Sequence, residues 1–202
     1  MTNSLTNSPL KKRLLSLDVF RGITIAAMIL VNDPGDWGHI YAPLEHSKWN
    51  GCTPTDLIFP FFLFMVGVSI IYAMESKKEI GTDHTKLILR ALRRTVILLV
   101  INYGIQLLFH PSLSHIRFPG VLPRIAVVYF ICTVLYIKTS QKTRDWLFVI
   151  ALVGYYIIMN FIPVPGVGYA NLEPTTNMGA WLDRLVFTSN HLWAESHTWD
   201  PE

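Results

Sequence analysis

The amino-acid sequence predicts an all-α protein, a polytopic membrane helix bundle with about five transmembrane helices. Hydrophobic residues make up 51% of the 202 residues and charged residues only 15%, where a soluble domain usually has about 25% charged residues. The apolar residues are also gathered into long blocks. Because a backbone in hydrocarbon must satisfy its own hydrogen bonds, blocks of this kind form helices rather than open strands.

Five apolar blocks predict the spans. Each holds about 15 to 18 residues, short of the ~20 that cross the hydrocarbon core, so flanking residues such as Leu14 and Leu87 extend the first and third blocks. No signal-peptide cleavage site follows the first block, which is therefore expected to be a retained span. The blocks are Leu17–Val31, Leu57–Met74, Thr95–Phe109, Gly120–Ile137 and Trp146–Ile162.

The distribution of Lys and Arg predicts the orientation. Three precede the first span, six lie between the second and third, and three lie between the fourth and fifth, so twelve of the 17 share one side. The opposite side holds only Lys48, Arg117 and Arg184, and the positive-inside rule then places the N-terminus in the cytoplasm. We expect a cytoplasmic tail over 1–13, a membrane domain over 14–162 and an external segment over 163–202. The polar ending predicts that this is the N-terminal half of a larger bundle.

Composition excludes several classes of protein. The net charge of +3 is small and no basic stripe with interleaved aromatics is present, so no nucleic-acid partner is predicted. Cys52 and Cys132 form neither a metal motif nor a disulfide framework. No metal is predicted.

Polar residues inside the spans need an explanation, since an ionisable side chain at the membrane centre costs about 2.5–3.5 kcal/mol on insertion scales. Asp18 and Arg21 share a helix face at the inner end of the first span. They are interpreted either as an ion pair at the membrane interface or as a gate. The basic cluster of Lys86, Arg90, Arg93 and Arg94 is read as a topology signal in preference to a phosphate site.

A second group of polar residues lies toward the outer half of the membrane. Each could be a helix–helix hydrogen bond, but together they favour the lining of a polar cavity. If the stretch between them is helical, Arg117 and Arg124 share one face, although Pro119 and Pro123 make the entry irregular. The other members are Asn32, Asp56, Asn102 and Gln106.

The outer connections hold six of the seven histidines and are rich in turn residues. Chemistry is often placed on such structured loops. In the first of these connections, Asn32–Asp56, each piece also has a structural interpretation: Trp37 and Trp49 as interfacial anchors, Asn50-Gly51 as a tight turn, and Thr55/Asp56 as a helix cap. The histidines are His39, His46, His110, His115, His191 and His197.

A series of motifs in a fixed order resembles the heparan-α-glucosaminide N-acetyltransferase family, whose members are multipass transmembrane acetyltransferases. The resemblance implies about ten or eleven spans in the complete protein. It also implies transfer of acetyl from cytosolic acetyl-CoA to the amine of a glucosamine on the other side of the membrane. The motifs are Leu17-Asp18-Val19-Phe20-Arg21-Gly22, Val31-Asn32, His46-Ser47-Lys48-Trp49-Asn50-Gly51, Thr55-Asp56-Leu57-Ile58-Phe59-Pro60-Phe61, Arg117-Phe118-Pro119-Gly120-Val121-Leu122-Pro123-Arg124, Asp183-Arg184, His191-Leu192 and Asp200-Pro201-Glu202.

The resemblance implies that His46 is the active-site histidine and Asn32 an important asparagine. An imidazole can deprotonate the acceptor amine or carry the acetyl group itself, and the sequence leaves both open. Asn32 could donate to the thioester oxygen, and Asp56 or Asn50 could fix the imidazole tautomer.

The remaining candidates bind substrates. Arg117 and Arg124 could bind an acceptor carboxylate or sulfate, or the phosphates of CoA, and His191 is a second candidate wall of the site.

The predicted function is acetyl transfer from acetyl-CoA to an amine or hydroxyl of an external sugar or glycan. We expect a multi-pass protein of the bacterial cytoplasmic membrane, with the His46 loop facing outside and a homodimer left open. A secondary transporter of a small anion or sugar is the alternative; it predicts Gly/Pro-broken helices in paired halves. A structural subunit is a third, which leaves the outer histidines unexplained.

Overall fold

The computed structural model describes residues 14–79, 83–109, 111–112, 116–193, 196 and 198. Within these ranges the secondary structure consists of helices and no strand is found. The α-helices are α1 Leu15–Asn32, α2 Ile58–Glu79, α3 His84–Phe109, α4 Val121–Lys138, α5 Gln141–Phe161 and α6 Met178–Phe187. Short 3-10 turns occur at Ala42–Leu44, Thr55–Leu57 and Ser189–His191.

Five of these helices, α1 to α5, are long and apolar enough to cross a membrane. The predicted all-α fold with five spans is therefore confirmed. The cytoplasmic N-terminus and the division into tail, membrane domain and external segment stay predictions, and the tail itself lies outside the described residues.

The start of α3 differs most from the predicted spans. The apolar block begins at Thr95 and was expected to extend through flanking residues to Leu87, and the helix begins at His84. Leu87 and Ala91 are buried and continue the packing face toward the N-terminus. The four cations of the basic cluster are exposed side chains on α3 itself, not in a connector. Their interpretation as a topology signal stays a prediction.

The chain divides into two compact units, one ending at Met65 and the other beginning at Val66, with the boundary inside α2. In the first unit, α1 packs against the beginning of α2, where the Phe20 and Phe61 rings meet edge-on with centroids 5.2 Å apart. An apolar cleft of about 160 Å³ lies here and is lined by α1, Leu44, Pro54, Thr55 and the first turn of α2.

The second unit is organised by the pairing of α3 with α4. Ala91 and Ala126 are completely buried, which lets the two helices approach closely. The Thr95 hydroxyl donates a 3.1 Å hydrogen bond to the Ala126 carbonyl oxygen. An apolar cluster of Ile70, Met74, Leu87 and Ile137 fills one end of this unit.

Helix α6 is an element that the sequence analysis did not predict. It begins after Asn177, whose side-chain oxygen accepts a hydrogen bond from the Ala180 N–H at 2.8 Å, and it packs against α5. An Asn at the N-cap is a recognisable start signal. Part of the expected external segment is thus an ordered helix.

Candidate functional site

The connection between α1 and α2 carries a histidine–aspartate pair. His46 Nδ1 lies 2.7 Å from Asp56 Oδ1, although the two residues are ten positions apart in the chain. The His46 side chain is 69% exposed, while Asp56 is 24% exposed. Of the two residues that the sequence offered as partners for the imidazole, Asp56 makes the contact, and Asn50 lies on the exposed surface of the loop.

Asp56 is held in place by the loop that it organises. Its second oxygen, Oδ2, accepts hydrogen bonds from the Thr53 N–H at 2.8 Å and from the Ser47 N–H at 3.3 Å. The Thr53 hydroxyl in turn lies 2.8 Å from the Glu45 carbonyl oxygen. The 3-10 turn at Thr55–Leu57 has no side-chain cap, so the interpretation of Thr55/Asp56 as a helix cap is wrong. The Asp56 carboxylate instead accepts hydrogen bonds from the backbone of the preceding loop.

The contact fixes the chemistry of the imidazole. A carboxylate only accepts hydrogen bonds, so Nδ1 of His46 carries the proton and Nε2 is the accepting nitrogen of the neutral ring. A largely exposed imidazole that a carboxylate orients has the arrangement of a general base or a nucleophile.

A second histidine–aspartate pair, which the sequence analysis did not identify, lies earlier in the same connection. His39 Nδ1 is 2.6 Å from Asp36 Oδ2, and the side chains are 87% and 66% exposed. The Gly38 N–H and the His39 ring lower the pKa of the Asp36 carboxyl below its ordinary value. The three-residue spacing makes this a local turn contact, a pattern that is readable from the sequence.

The loop also shows where the chain reverses and where Asn32 lies. Gly51 has φ +128°, a backbone conformation that favours glycine, in agreement with the predicted Asn50-Gly51 turn. Asn32 is the last residue of α1, and one of its amide hydrogens is donated to the Met28 carbonyl oxygen at 2.9 Å. A side-chain amide has a second N–H.

In the second unit, the residues just before α4 are held by the Gln106 side chain and by the side chain and backbone carbonyl of His191. Gln106 on α3 accepts from the Arg117 N–H at 2.9 Å and donates to the Arg117 carbonyl oxygen at 3.1 Å. His191 Nδ1 lies 2.7 Å from the Ile116 carbonyl oxygen, and the Phe118 N–H donates to the His191 carbonyl oxygen at 3.1 Å. The Gln106 amide is therefore hydrogen-bonded to the backbone of the segment before α4.

Arg117 and Arg124 do not share a helix face. α4 begins only at Val121 after an extended Gly120, so Arg117 lies in the irregular segment before the helix and Arg124 in the first turns of α4. The alignment was expected only for a helical stretch, and that condition is not met: the entry to α4 is irregular, as Pro119 and Pro123 predicted. On α3, Asn102 Nδ2 is buried without a hydrogen-bond partner in the part of the chain that is described.

Two further candidates have local contacts. Asp18 and Arg21 form an ion pair of 3.3 Å on α1, with both side chains partly exposed. An ion pair was the structural interpretation of these two residues, and a gate was the functional one. Arg184, in the late Asp183-Arg184 motif, donates to the carbonyl oxygens of Thr175 and Thr198 at 2.8 and 2.6 Å. His110, His115 and His197 lie outside the described residues.

Ser47, Thr53 and Gln106 hold candidate site residues in place through contacts that the sequence did not predict. Ser and Thr near an Asp are a known turn signal, whereas the partner of Gln106 is a backbone group distant in sequence and leaves no trace in composition. Among the described residues, no group of three or more His, Cys, Asp and Glu side chains could hold a metal ion.

Comparison with known proteins identifies the family. The family described as heparan-alpha-glucosaminide N-acetyltransferase, catalytic, matches residues 13–183. The chain is 31% identical to the human heparan-alpha-glucosaminide N-acetyltransferase over 226 aligned positions, covering 92% of this chain and 33% of that protein. The mouse protein of the same name is also 31% identical, over 90% of this chain and 33% of its own length.

The fold and the comparisons together define a multi-helix protein of the acetyltransferase class. The chain belongs to the heparan-alpha-glucosaminide N-acetyltransferase family, as its motifs predicted. It spans about a third of the length of the curated relatives that it matches.

Proposed function

We propose that this chain forms part of a transmembrane acetyltransferase that moves an acetyl group from cytosolic acetyl-CoA to an amine or hydroxyl of a sugar or glycan on the other side of the membrane. The observation that carries the proposal is the contact between His46 and Asp56. Family membership supports acetyl transfer, and the human and mouse relatives, by name, act on a heparan glucosaminide.

The reaction needs a base at the acceptor. His46 Nε2 removes a proton from the acceptor amine as the amine nitrogen attacks the thioester carbonyl carbon. The C–N bond forms and the C–S bond breaks, after which the departing CoA thiolate takes up the proton. Asp56 stabilises the imidazolium that forms in between and keeps Nδ1 protonated.

Three other residues would assist. The second N–H of Asn32 would donate to the thioester oxygen as negative charge develops there; one such donor is worth about 2.7–4 kcal/mol in other enzymes. Arg117 and Arg124 would bind anionic groups of the donor or of the acceptor. An alternative route transfers acetyl first to Nε2 of His46 and then to the acceptor.

Membrane sidedness belongs to the same proposal. If α1 to α5 each cross the membrane, the His46 connection lies opposite the basic connections and faces the outside of a bacterial cytoplasmic membrane. The transporter alternative predicts interrupted helices near the midplane, whereas α1 to α5 are each continuous over their described lengths. The acetyltransferase is therefore the function that these residues support best.

The experiment compares the two histidine–aspartate pairs of one loop. Membranes that contain the full-length protein are given radiolabelled acetyl-CoA and glucosamine, and labelled N-acetylglucosamine is measured. His46→Ala should lower transfer by a factor on the order of 10² to 10⁴, while His39→Ala, whose histidine contacts an aspartate at nearly the same distance, should stay within about twofold of wild type. Equal activity of H46A and wild type would contradict the proposal, and sugar uptake without dependence on acetyl-CoA would favour the transporter.

A further inference from the structure

The three residues Ile116, Arg117 and Phe118, here called the 116–118 segment, are bound along their backbone by the side chains of Gln106 and His191 and by the backbone carbonyl of His191. The Arg117 N–H and carbonyl both pair with the Gln106 amide. The carbonyl of Ile116 and the N–H of Phe118 both pair with His191. Four successive backbone groups are thus hydrogen-bonded outside any helix.

The ring contacts add to these hydrogen bonds. The His191 ring lies against the Phe118 ring with centroids 4.4 Å apart, and Tyr103 meets Phe118 edge-on at 5.9 Å. Pro119 follows directly and lies buried. Because the segment is connected to α3 on one side and to Ser189–His191 on the other, its backbone has little freedom to shift.

The atoms involved specify what each side chain does. A carbonyl oxygen only accepts, so His191 donates from Nδ1. This N–H is present in the charged ring and in the neutral tautomer that carries its proton on Nδ1. Gln106 offers one acceptor and one donor in the orientation that Arg117 requires. A charged Glu or a short Asn would not match both groups.

We propose that Gln106 and His191 are positioning residues that fix the 116–118 segment, so that Arg117 is held in place to bind an anionic group of a substrate. This group is a phosphate of the donor, or a sulfate or carboxylate of the acceptor. The inference rests on the proposed acetyl transfer and revises the expectation that His191 lines the site itself. Arg117 binds the anion through its guanidinium, and the two positioning residues act through Arg117.

Two substitutions at His191 separate its functions. His191→Phe keeps an aromatic ring against Phe118 but removes the donor to Ile116, whereas His191→Asn keeps an N–H donor near the Nδ1 position and removes Nε2. The inference predicts that H191F raises KM about tenfold with kcat changed less than about threefold, and that H191N restores KM to within about threefold of wild type. Gln106→Leu should resemble H191F.

The source of the anion is distinguished by two arms. In one arm KM for acetyl-CoA is measured with glucosamine as acceptor, and in the other KM for glucosamine 6-sulfate is compared with KM for glucosamine. A rise in the first arm assigns the anion to the donor, and a rise confined to the sulfated acceptor assigns it to the acceptor; either supports the inference. No rise in either arm overturns it.

A double-mutant cycle tests whether the effect passes through Arg117. Arg117→Gln should raise KM on the order of ten- to a hundredfold, and adding H191F or Q106L to R117Q should change KM little further. Additive effects would overturn the inference, as would an H191N variant as impaired as H191F, because Nε2 would then be the important atom.

Amide hydrogen exchange provides a readout that does not require activity. In the full-length protein in nanodiscs, a peptide containing residues 116–118 should exchange slowly in wild type and in Asn160→Leu, which removes an amide that donates to the Tyr156 carbonyl of its own helix. Q106L and H191F should exchange faster, and unchanged exchange would overturn the inference. If H46A keeps full activity the proposed function fails, whereas loss in H46A together with normal KM in Q106L and H191F rejects this inference alone.

Discussion

Both carboxylate oxygens of Asp56 are occupied as acceptors, and they serve different purposes. Oδ1 faces the His46 ring, and Oδ2 accepts the backbone N–H groups of Ser47 and Thr53. One residue therefore joins the fold of the loop to the orientation of the imidazole. A side-chain amide, which has a single acceptor oxygen, cannot do both.

This arrangement makes Asp56→Asn a sharp test. If the amide oxygen keeps the Ser47 and Thr53 contacts, the NH₂ group faces the imidazole and favours the tautomer in which Nε2 carries the proton. We expect kcat/KM for acetyl transfer to fall by a factor on the order of 10² to 10⁴ while the protein remains folded. The measurement is the steady-state rate with acetyl-CoA and glucosamine in membranes that contain the full-length protein.

Asp36→Asn is the matched control for D56N. It alters the other histidine–aspartate pair of the same connection, and its rate should stay within about twofold of wild type. A D56N variant as active as D36N would show that the carboxylate does not orient a reacting imidazole.

At the scale of residues, the sequence predicted the candidate polar side chains better than the groups that these side chains contact. The motifs indicated His46 and Asp56, but the choice between Asp56 and Asn50 depends on how the loop reverses at Gly51, which local pattern does not determine. Gln106 was expected to line a cavity because a polar residue in an apolar block has no visible partner in the sequence, and His191 was expected to line the site because it lies in a motif that resembles the family. Their partners are backbone groups, which every residue has.

At the scale of elements, the pair α3 and α4 depends on small residues. Ala91 and Ala126 are completely buried, and the Thr95 hydroxyl bonds the Ala126 carbonyl oxygen across the interface. Membrane helices associate through close packing of this kind, since lipid tails are as apolar as the side chains they replace.

Ala126→Leu is therefore expected to destabilise the second unit. The larger side chain has no space between the helices and should cost about 1–3 kcal/mol, which is measured as a lower midpoint of thermal unfolding in detergent. Ala151→Leu on α5 is the control, because Ala151 is exposed and should leave the midpoint nearly unchanged. Equal midpoints for A126L and A151L would contradict this account of the interface.

The helices themselves were largely predictable, and the two differences have physical causes. Apolar runs identify α1, α2, α4 and α5 to within a few residues because burial in lipid requires them. The apolar run of α3 is continuous only from Thr95 because its cations interrupt it, so its extension to Leu87 depended on flanking residues, although the opposite face remains buried. α6 was missed because ten residues between turn-rich segments give a weak periodic signal.

At the scale of the whole molecule, the central claim concerns sidedness. An acetyl group supplied as cytosolic acetyl-CoA can reach an external sugar only if the imidazole that receives the acceptor lies on the outer side. The distribution of Lys and Arg predicts this orientation for the His46 connection, and Cys52, six positions along the same loop, is exposed.

Cysteine labelling tests the orientation with few changes to the protein. Cells expressing the full-length protein with Cys132→Ser, and with any cysteine of its remaining sequence also replaced by Ser, would be treated with a membrane-impermeant maleimide. The control combines Cys52→Ser with Lys142→Cys, which places the thiol in the predicted cytoplasmic connection. We predict that Cys52 is labelled in intact cells and that the Lys142→Cys variant is labelled only after permeabilisation; labelling of Cys52 only after permeabilisation would contradict the account.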